Sequence, residues 1–215
     1  MATGLRIRGI VKRLQWLSMC ACLGFALSAV DPAGAQAGTN LVLSEKVRSG
    51  GTETTSQPYP GSSVEWGRSV AIVEAPIEQV LVVVQDYAHY TEFMPNFEAS
   101  RVLSQRGSSA LLYAQVTLMH GAAKIWAELK IRLRDVGGTK VIEAKMTKGN
   151  VELLQAVWEL TPFDNGRTLV AFQIIVDPDL PLPTSLVNSE NAKAARKTLR
   201  ALRDRLKGKA PAKAG

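Results

Sequence analysis

The sequence predicts an α+β domain, an antiparallel sheet covered on one face by a long C-terminal helix. Three observations point there. Residues 125–134 alternate strictly, with Ile125, Ala127, Leu129, Ile131 and Leu133 on one side and Trp126, Glu128, Lys130, Arg132 and Arg134 on the other. A strand with one apolar and one wet face belongs to an antiparallel sheet. Gly137-Gly138 and Asn165-Gly166 stand at the ends of strand-like runs, where positive φ makes a tight turn. Finally, between Thr184 and Gly208 the residues Leu186, Ala194, Ala195, Thr198, Leu199, Leu202 and Leu206 form a single stripe. A helix with one such stripe buries it, and the sheet is the available partner.

The elements follow in order. With 215 residues the chain suits one domain with a real core. Residues 1–35 read as a signal peptide. Arg6, Arg8, Lys12 and Arg13 are basic, Trp16 to Val30 is apolar, and Ala33-Gly34-Ala35 or Ala35-Gln36-Ala37 offers a small-x-small cleavage site. The apolar run is short for a spanning helix, although an uncleaved anchor is the alternative. The chain is then expected to be exported, periplasmic or secreted. Both cysteines, Cys20 and Cys22, lie in this leader. A mature chain without them excludes disulfides, thiolate metal sites and a cysteine nucleophile.

Residues 36–62 read as a linker rich in Gly, Ser, Thr and Pro, with a short strand expected within Leu41–Val47. Val64, Trp66, Val70 and Ile72 mark a first strand running toward Glu74. Pro76 then sits where the first turn of a helix tolerates it. Ile77, Val80, Leu81 and Val84 recur at helical spacing. The β-branched run Val82–Val84 favours a strand instead, but spacing and Pro76 decide for a helix. Tyr87, Tyr90, Phe93 and Met94 crowd a second short segment that Pro95 ends.

Strands are expected at Ala99–Leu103, Leu111–Met119, from Ile125 to the Gly137-Gly138 turn, Lys140–Lys148, Leu153–Leu160 and Thr168–Val176. Arg106–Ser109, His120-Gly121, Gly149-Asn150 and Phe163–Gly166 are the turns between them. Pro178, Pro181 and Pro183 stop the sheet, and Thr184 or Ser185 is expected to cap the last helix. The domain spans 63–208, and 209–215 is expected to be a disordered basic tail.

Charge is uneven. The net charge is +7. Residues 1–35 carry four basic residues and Asp31, and the segment from Lys193 onward carries nine basic residues against Asp204 alone, leaving the 36–192 body at −4. Basicity therefore belongs to the last helix. Its outer face, with Arg196, Arg200, Arg203 and Lys207, reads either as a solvated surface or as an attraction to anionic membrane. Nucleic acid is not expected as a partner, because no aromatic residues interleave the basic ones.

The run Ala75-Pro76, Val80-Leu81, Asp86-Tyr87, Tyr90 and Glu92-Phe93-Met94-Pro95 resembles the opening of the START-like superfamily (SRPBCC). The similarity is to its polyketide cyclase/dehydrase and coenzyme Q-binding branch. Leu81 stands where many members carry Trp or Phe. Trp158-Glu159-Leu160-Thr161-Pro162 and Asp177-Pro178 through Leu182-Pro183 agree, so the resemblance covers roughly 63–206. It implies a helix-grip fold, in which the sheet curls round the last helix and leaves an apolar cavity between them. The residues placed on that cavity are Tyr87, Tyr90, Phe93, Met94, Tyr113, Trp158, Phe172, Leu186, Ala195, Thr198, Leu199 and Leu202.

Catalytic chemistry is poorly marked. His89 and His120 are the two histidines, in separate segments and without ligand-like spacing. No phosphate loop, HExxH or Gly-x-Ser-x-Gly pattern occurs. No catalytic residue, metal site or cofactor is assigned. Asp86 reads as a turn-forming side chain or, alternatively, a polar hook for a ligand. Glu143 and Lys145 face solvent more readily than a cavity. The Tyr87–Met94 cluster reads equally as a lip over a pocket or as core. Three functional classes result: a binding module for a lipid or other apolar small molecule, a cyclase/dehydrase-type enzyme, and a partner-binding domain with a filled core.

Overall fold

The computed structural model describes residues 43–118, 123–178 and 180–208. The 1–35 leader with Cys20 and Cys22, the His120-Gly121 turn and the 209–215 tail lie outside them. The described elements are α1 (Glu45–Arg48), β1 (Thr52–Pro58), β2 (Glu65–Val73), α2 (Ile77–Gln85), a 3-10 turn (Tyr87–His89), α3 (Tyr90–Phe93), six further strands and a last helix. The strands are β3 (Phe97–Arg106), β4 (Ser109–Leu118), β5 (Ala123–Val136), β6 (Thr139–Gly149), β7 (Leu153–Pro162) and β8 (Thr168–Asp177). The helix is α4 (Thr184–Leu206).

All eight strands join one antiparallel sheet in the order β1-β2-β8-β7-β6-β5-β4-β3. From β3 to β8 each strand pairs with the next in sequence, as a hairpin-built sheet must. The crossover lies at β2, which pairs with the last strand, β8, and not with β3. That places the two edges, β1 and β3, far apart in the sheet and gives α4 a seat on β2 and β8.

The seat is set by one glycine and two asparagines. A Cβ on Gly67 of β2 would lie 2.1 Å from the Asn191 carbonyl oxygen, so only glycine lets the helix backbone approach this closely. Asn191 is buried. Its Nδ2 donates to the carbonyls of Glu65 (3.1 Å) and Val176 (3.3 Å), and its Oδ1 accepts from the Val176 N–H (3.1 Å). Three bonds satisfy the amide almost completely, which is what a buried polar group requires. One turn earlier, Asn188 Oδ1 accepts from the Glu65 N–H at 2.9 Å. On either side of Asn191 the helix buries Val187, Ala195, Leu199 and Leu202.

Several expectations need correction. The strand expected within Leu41–Val47 is instead α1 over its described part; Ser44 caps it, its Oγ accepting from the Val47 N–H at 3.4 Å. The strand of that region is β1, further along the linker, in register with β2 from Thr52↔Ala71 to Pro58↔Glu65. The expected cap of α4 at Thr184 or Ser185 is Pro183, with no side-chain capping bond; its fixed φ suits a helix start. β3 runs to Arg106, well past Leu103. The α2 helix, the Asn165 turn at φ 52° and the Gly137-Gly138 turn at φ 59° and 85° match the sequence reading.

Arg203 also differs from expectation. Its guanidinium does not face outward with Arg196 and Arg200. It donates to Thr52 Oγ1 (3.1 Å) and to the carbonyls of Gly50 (3.2 Å), Gly51 (3.4 Å) and Ile72 (2.5 Å). The residue ties the last turn of α4 to β1 and β2. Burial there holds its pKa below the usual arginine value.

Candidate functional site: an apolar cavity under the last helix

The inward faces of the strands supply the floor of the site. Period-two alternation directs Leu112, Ala114 and Val116 of β4, Ile125, Ala127, Leu129 and Ile131 of β5, and Ile142 and Ala144 of β6 to one side. Leu154, Ala156 and Trp158 of β7 and Phe172, Ile174 and Val176 of β8 continue that surface. Alanines occupy facing positions twice, Ala114↔Ala127 and Ala144↔Ala156. Where leucines would meet the helix, these leave space.

The result is a cavity of about 190 Å³ between the sheet and α4. It exceeds the ~150 Å³ of an apolar cavity known to take benzene. Tyr87, Tyr90 and Met94 close one end; Leu186, Ala194 and Thr198 of α4 form the roof. The solvent-exposed lining residues, Asn96, Leu186, Lys193 and Lys197, mark the mouth between α4 and the α3–β3 turn.

Of the residues placed on the cavity from sequence, seven line it: Tyr87, Tyr90, Met94, Trp158, Phe172, Leu186 and Thr198. Trp158 and Phe172 are register partners on β7 and β8, with ring centroids 4.3 Å apart. Five do not. Tyr113 lies between inward Leu112 and Ala114, so the pleat turns it to the opposite face. There it stacks on Trp126 at 6.3 Å, with the Arg101 guanidinium 4.8 Å from its ring. Phe93 is buried behind Tyr90, edge-on at 5.6 Å, beneath the Arg205 guanidinium at 5.1 Å. Ala195, Leu199 and Leu202 are wholly buried in the packed core, on a flank of α4 rotated away from the cavity. Their stripe was right for burial but broader than the roof.

The Tyr87–Met94 cluster, read as lip or core, is both. All four side chains are buried, and three of them face the cavity. Tyr90 anchors the group: its hydroxyl donates to the Val84 carbonyl at 2.5 Å, and its ring meets Tyr87 (5.7 Å) and Phe97 (5.4 Å) edge-on. Burial raises the pKa of both phenols, Tyr87 to about 12 and Tyr90 well above its ordinary value.

The remaining polar candidates lie outside the cavity. Asp86 accepts from His89 Nδ1 at 2.5 Å, which holds the 3-10 turn together and raises the histidine pKa. Arg205 of α4 reaches Glu92 of α3 at 3.0 Å and Asp86 at 3.9 Å. Glu143 pairs with Arg134 on the solvent face, and Lys145 is exposed. Among the described residues no cluster of three or more His, Cys, Asp or Glu is arranged to hold a metal ion.

Comparison with known proteins agrees with this geometry. A search of curated proteins finds no significant match. The solved structure of a STAR-related lipid transfer protein from Xanthomonas axonopodis is similar, at TM-score 0.63 and 19% identity. The match covers 73% of this chain and 93% of that one. Human StAR-related lipid transfer protein 5 aligns at TM-score 0.65 and 12% identity, over 73% of this chain and 82% of that one. A START superfamily protein from Mycobacterium smegmatis aligns at 0.59 and 17%, over 66% and 97%. At these identities the structures establish the helix-grip fold. The family model described as polyketide cyclase/dehydrase and lipid transport matches residues 73–203. The chain therefore belongs to that family, within the START-like superfamily.

Proposed function

We propose that this protein is an exported carrier that holds a lipid or other apolar small molecule between the sheet and α4. The observation that supports the reading most is the open apolar cavity that the inward faces of β4 to β8 line beneath α4. Leaving it empty forgoes packing that leucines at Ala114, Ala127, Ala144 and Ala156 would restore. A ligand supplies that burial instead, at about 25 cal/mol per Å² of apolar surface. The names of the Xanthomonas and human neighbours as lipid transfer proteins support the same reading.

The cyclase/dehydrase alternative needs an acid or base beside the substrate. The lining carboxylate, Glu190, is ion-paired with Lys193 at 2.8 Å, at the mouth. The carrier is thus the better fit, and the cavity argues against a filled-core partner domain. Export rests on the basic and apolar opening of residues 1–35. Attraction to an anionic membrane rests on Arg196, Arg200 and Lys207, which are exposed, and no longer on Arg203.

Native mass spectrometry of the full chain purified from its own source, followed by solvent extraction, tests the carrier. The expected result is a noncovalent adduct that extraction recovers as an apolar compound. A bare polypeptide mass, together with no uptake of added alkanols, would overturn the proposal. The mass of the same polypeptide reports whether residues 1–35 have been removed.

A further inference from the structure

The cavity is apolar on the sheet side and charged on the helix side, and the charges are not balanced. Glu190, Lys193 and Lys197 lie at i, i+3 and i+7 on α4, so they follow one line along the roof toward the mouth. Glu190 and Lys193 pair at 2.8 Å. Lys197 has no hydrogen-bond or ion-pair partner among the described residues. Two other polar groups of the roof and end wall are committed, Asn191 to β2 and β8 and Tyr90 to Val84. Across the mouth, Asn96 and Thr117 are neutral. The rim therefore carries a net charge of about +1, with the ammonium of Lys197 free for a ligand.

Volume narrows the tail. About 190 Å³ is below the ~300 Å³ at which drug-sized ligand pockets begin. That suits one chain or one small ring system, not the two chains of a diacyl lipid. We infer that the ligand is a single-tailed amphiphile with an anionic head, a carboxylate-bearing apolar molecule. Its tail lies on Ile142, Ala156 and Trp158, and its head accepts hydrogen bonds from Lys197, with Lys193 beside it. This deepens the carrier reading and depends on it.

The test compares decanoate, decanol and decyltrimethylammonium by calorimetric titration of the full chain at low and high salt. Decanoate is expected to bind about fivefold more tightly than decanol, as a partly exposed ion pair allows. The cationic amphiphile is expected to bind most weakly, and added salt to erase the preference. Lys197→Gln is expected to bring decanoate down to the decanol affinity and leave decanol unchanged. Glu190→Gln, which frees Lys193, is expected to strengthen decanoate binding by a similar factor. Equal binding of decanol and decanoate by the wild-type chain, or no effect of Lys197→Gln, would overturn the head-group assignment and leave the apolar carrier standing. Binding of none of the three would overturn both. Tighter binding of a two-chained phosphatidate would overturn the single-tail assignment alone.

Discussion

Filling the cavity from its own wall separates a ligand site from ordinary packed core. Ala156 faces the cavity from the middle of β7, opposite Ala144 and flanked by Leu154 and Trp158. An unfilled space of about 190 Å³ represents roughly 4–5 kcal/mol of forgone stability at ~24 cal/mol per Å³. Ala156→Leu moves three more carbons into it. At about 0.8 kcal/mol per buried methylene the gain is about 2 kcal/mol, less whatever the leucine loses in rotamer freedom. Urea titration should show a higher midpoint at unchanged slope. The same variant should bind decanol at least tenfold more weakly, because the leucine occupies the ligand's volume. If the region were already packed, the substitution would strain it and cost about 1–3 kcal/mol. A lower midpoint with decanol affinity intact would refute the reasoning.

Other perturbations probe the seat of the helix and the aromatic end wall. Gly67→Ala puts a methyl 2.1 Å from the backbone oxygen of Asn191, where neither partner can yield, and should cost at least about 2 kcal/mol in chemical denaturation. Asn191→Leu keeps the volume but strips the Val176 N–H and two carbonyls of their partner. A loss of about 3 kcal/mol is expected, also by denaturation. Tyr87 has its pKa raised from 10.0 to about 12 in the fold, so between these values the folded chain holds a proton that the unfolded chain has lost. Stability from this group is complete below pH 10 and falls as pH rises toward 12; Tyr87→Phe should flatten the decline. His89 likewise titrates above its ordinary value of 6.5 because of Asp86. Its contribution is complete below 6.5 and lost as pH rises through the folded value, and Asp86→Asn should lower the midpoint followed by NMR.

Much of this architecture was legible before any coordinates, and the parts that were not share a cause. β5 alternates apolar and polar residues because one of its faces is buried, so the pattern and the burial are the same fact. β1 has no such pattern. Its residues Thr-Glu-Thr-Thr-Ser-Gln-Pro bury nothing fully, and the strand exists because β2 offers an open edge to threonines that favour extended backbone. Asn188 and Asn191 escaped for a related reason: polar residues on a buried stripe look like interruptions until their partners, backbone groups some 15 to 126 positions away, are known. The cavity was legible in kind but not in outline. Ala195, Leu199 and Leu202 share a stripe with Thr198, and periodicity cannot tell the flank that packs from the flank that stands clear. Tyr113 could have been placed correctly, since period-two alternation puts it on the face opposite its neighbours Leu112 and Ala114.

The most direct measurement of where a ligand sits is intermolecular NMR contact. With ¹³C-labelled decanol bound to the full chain, nuclear Overhauser effects should connect the alkyl chain to Ile142, Ala156 and Trp158 on the floor and to Thr198 on the roof. No such contact should reach Trp126, Val102 or Leu103, which are exposed beyond the cavity. Contacts confined to those exposed residues, with the signals of Trp158 and Ile142 unmoved, would contradict a ligand held between sheet and helix.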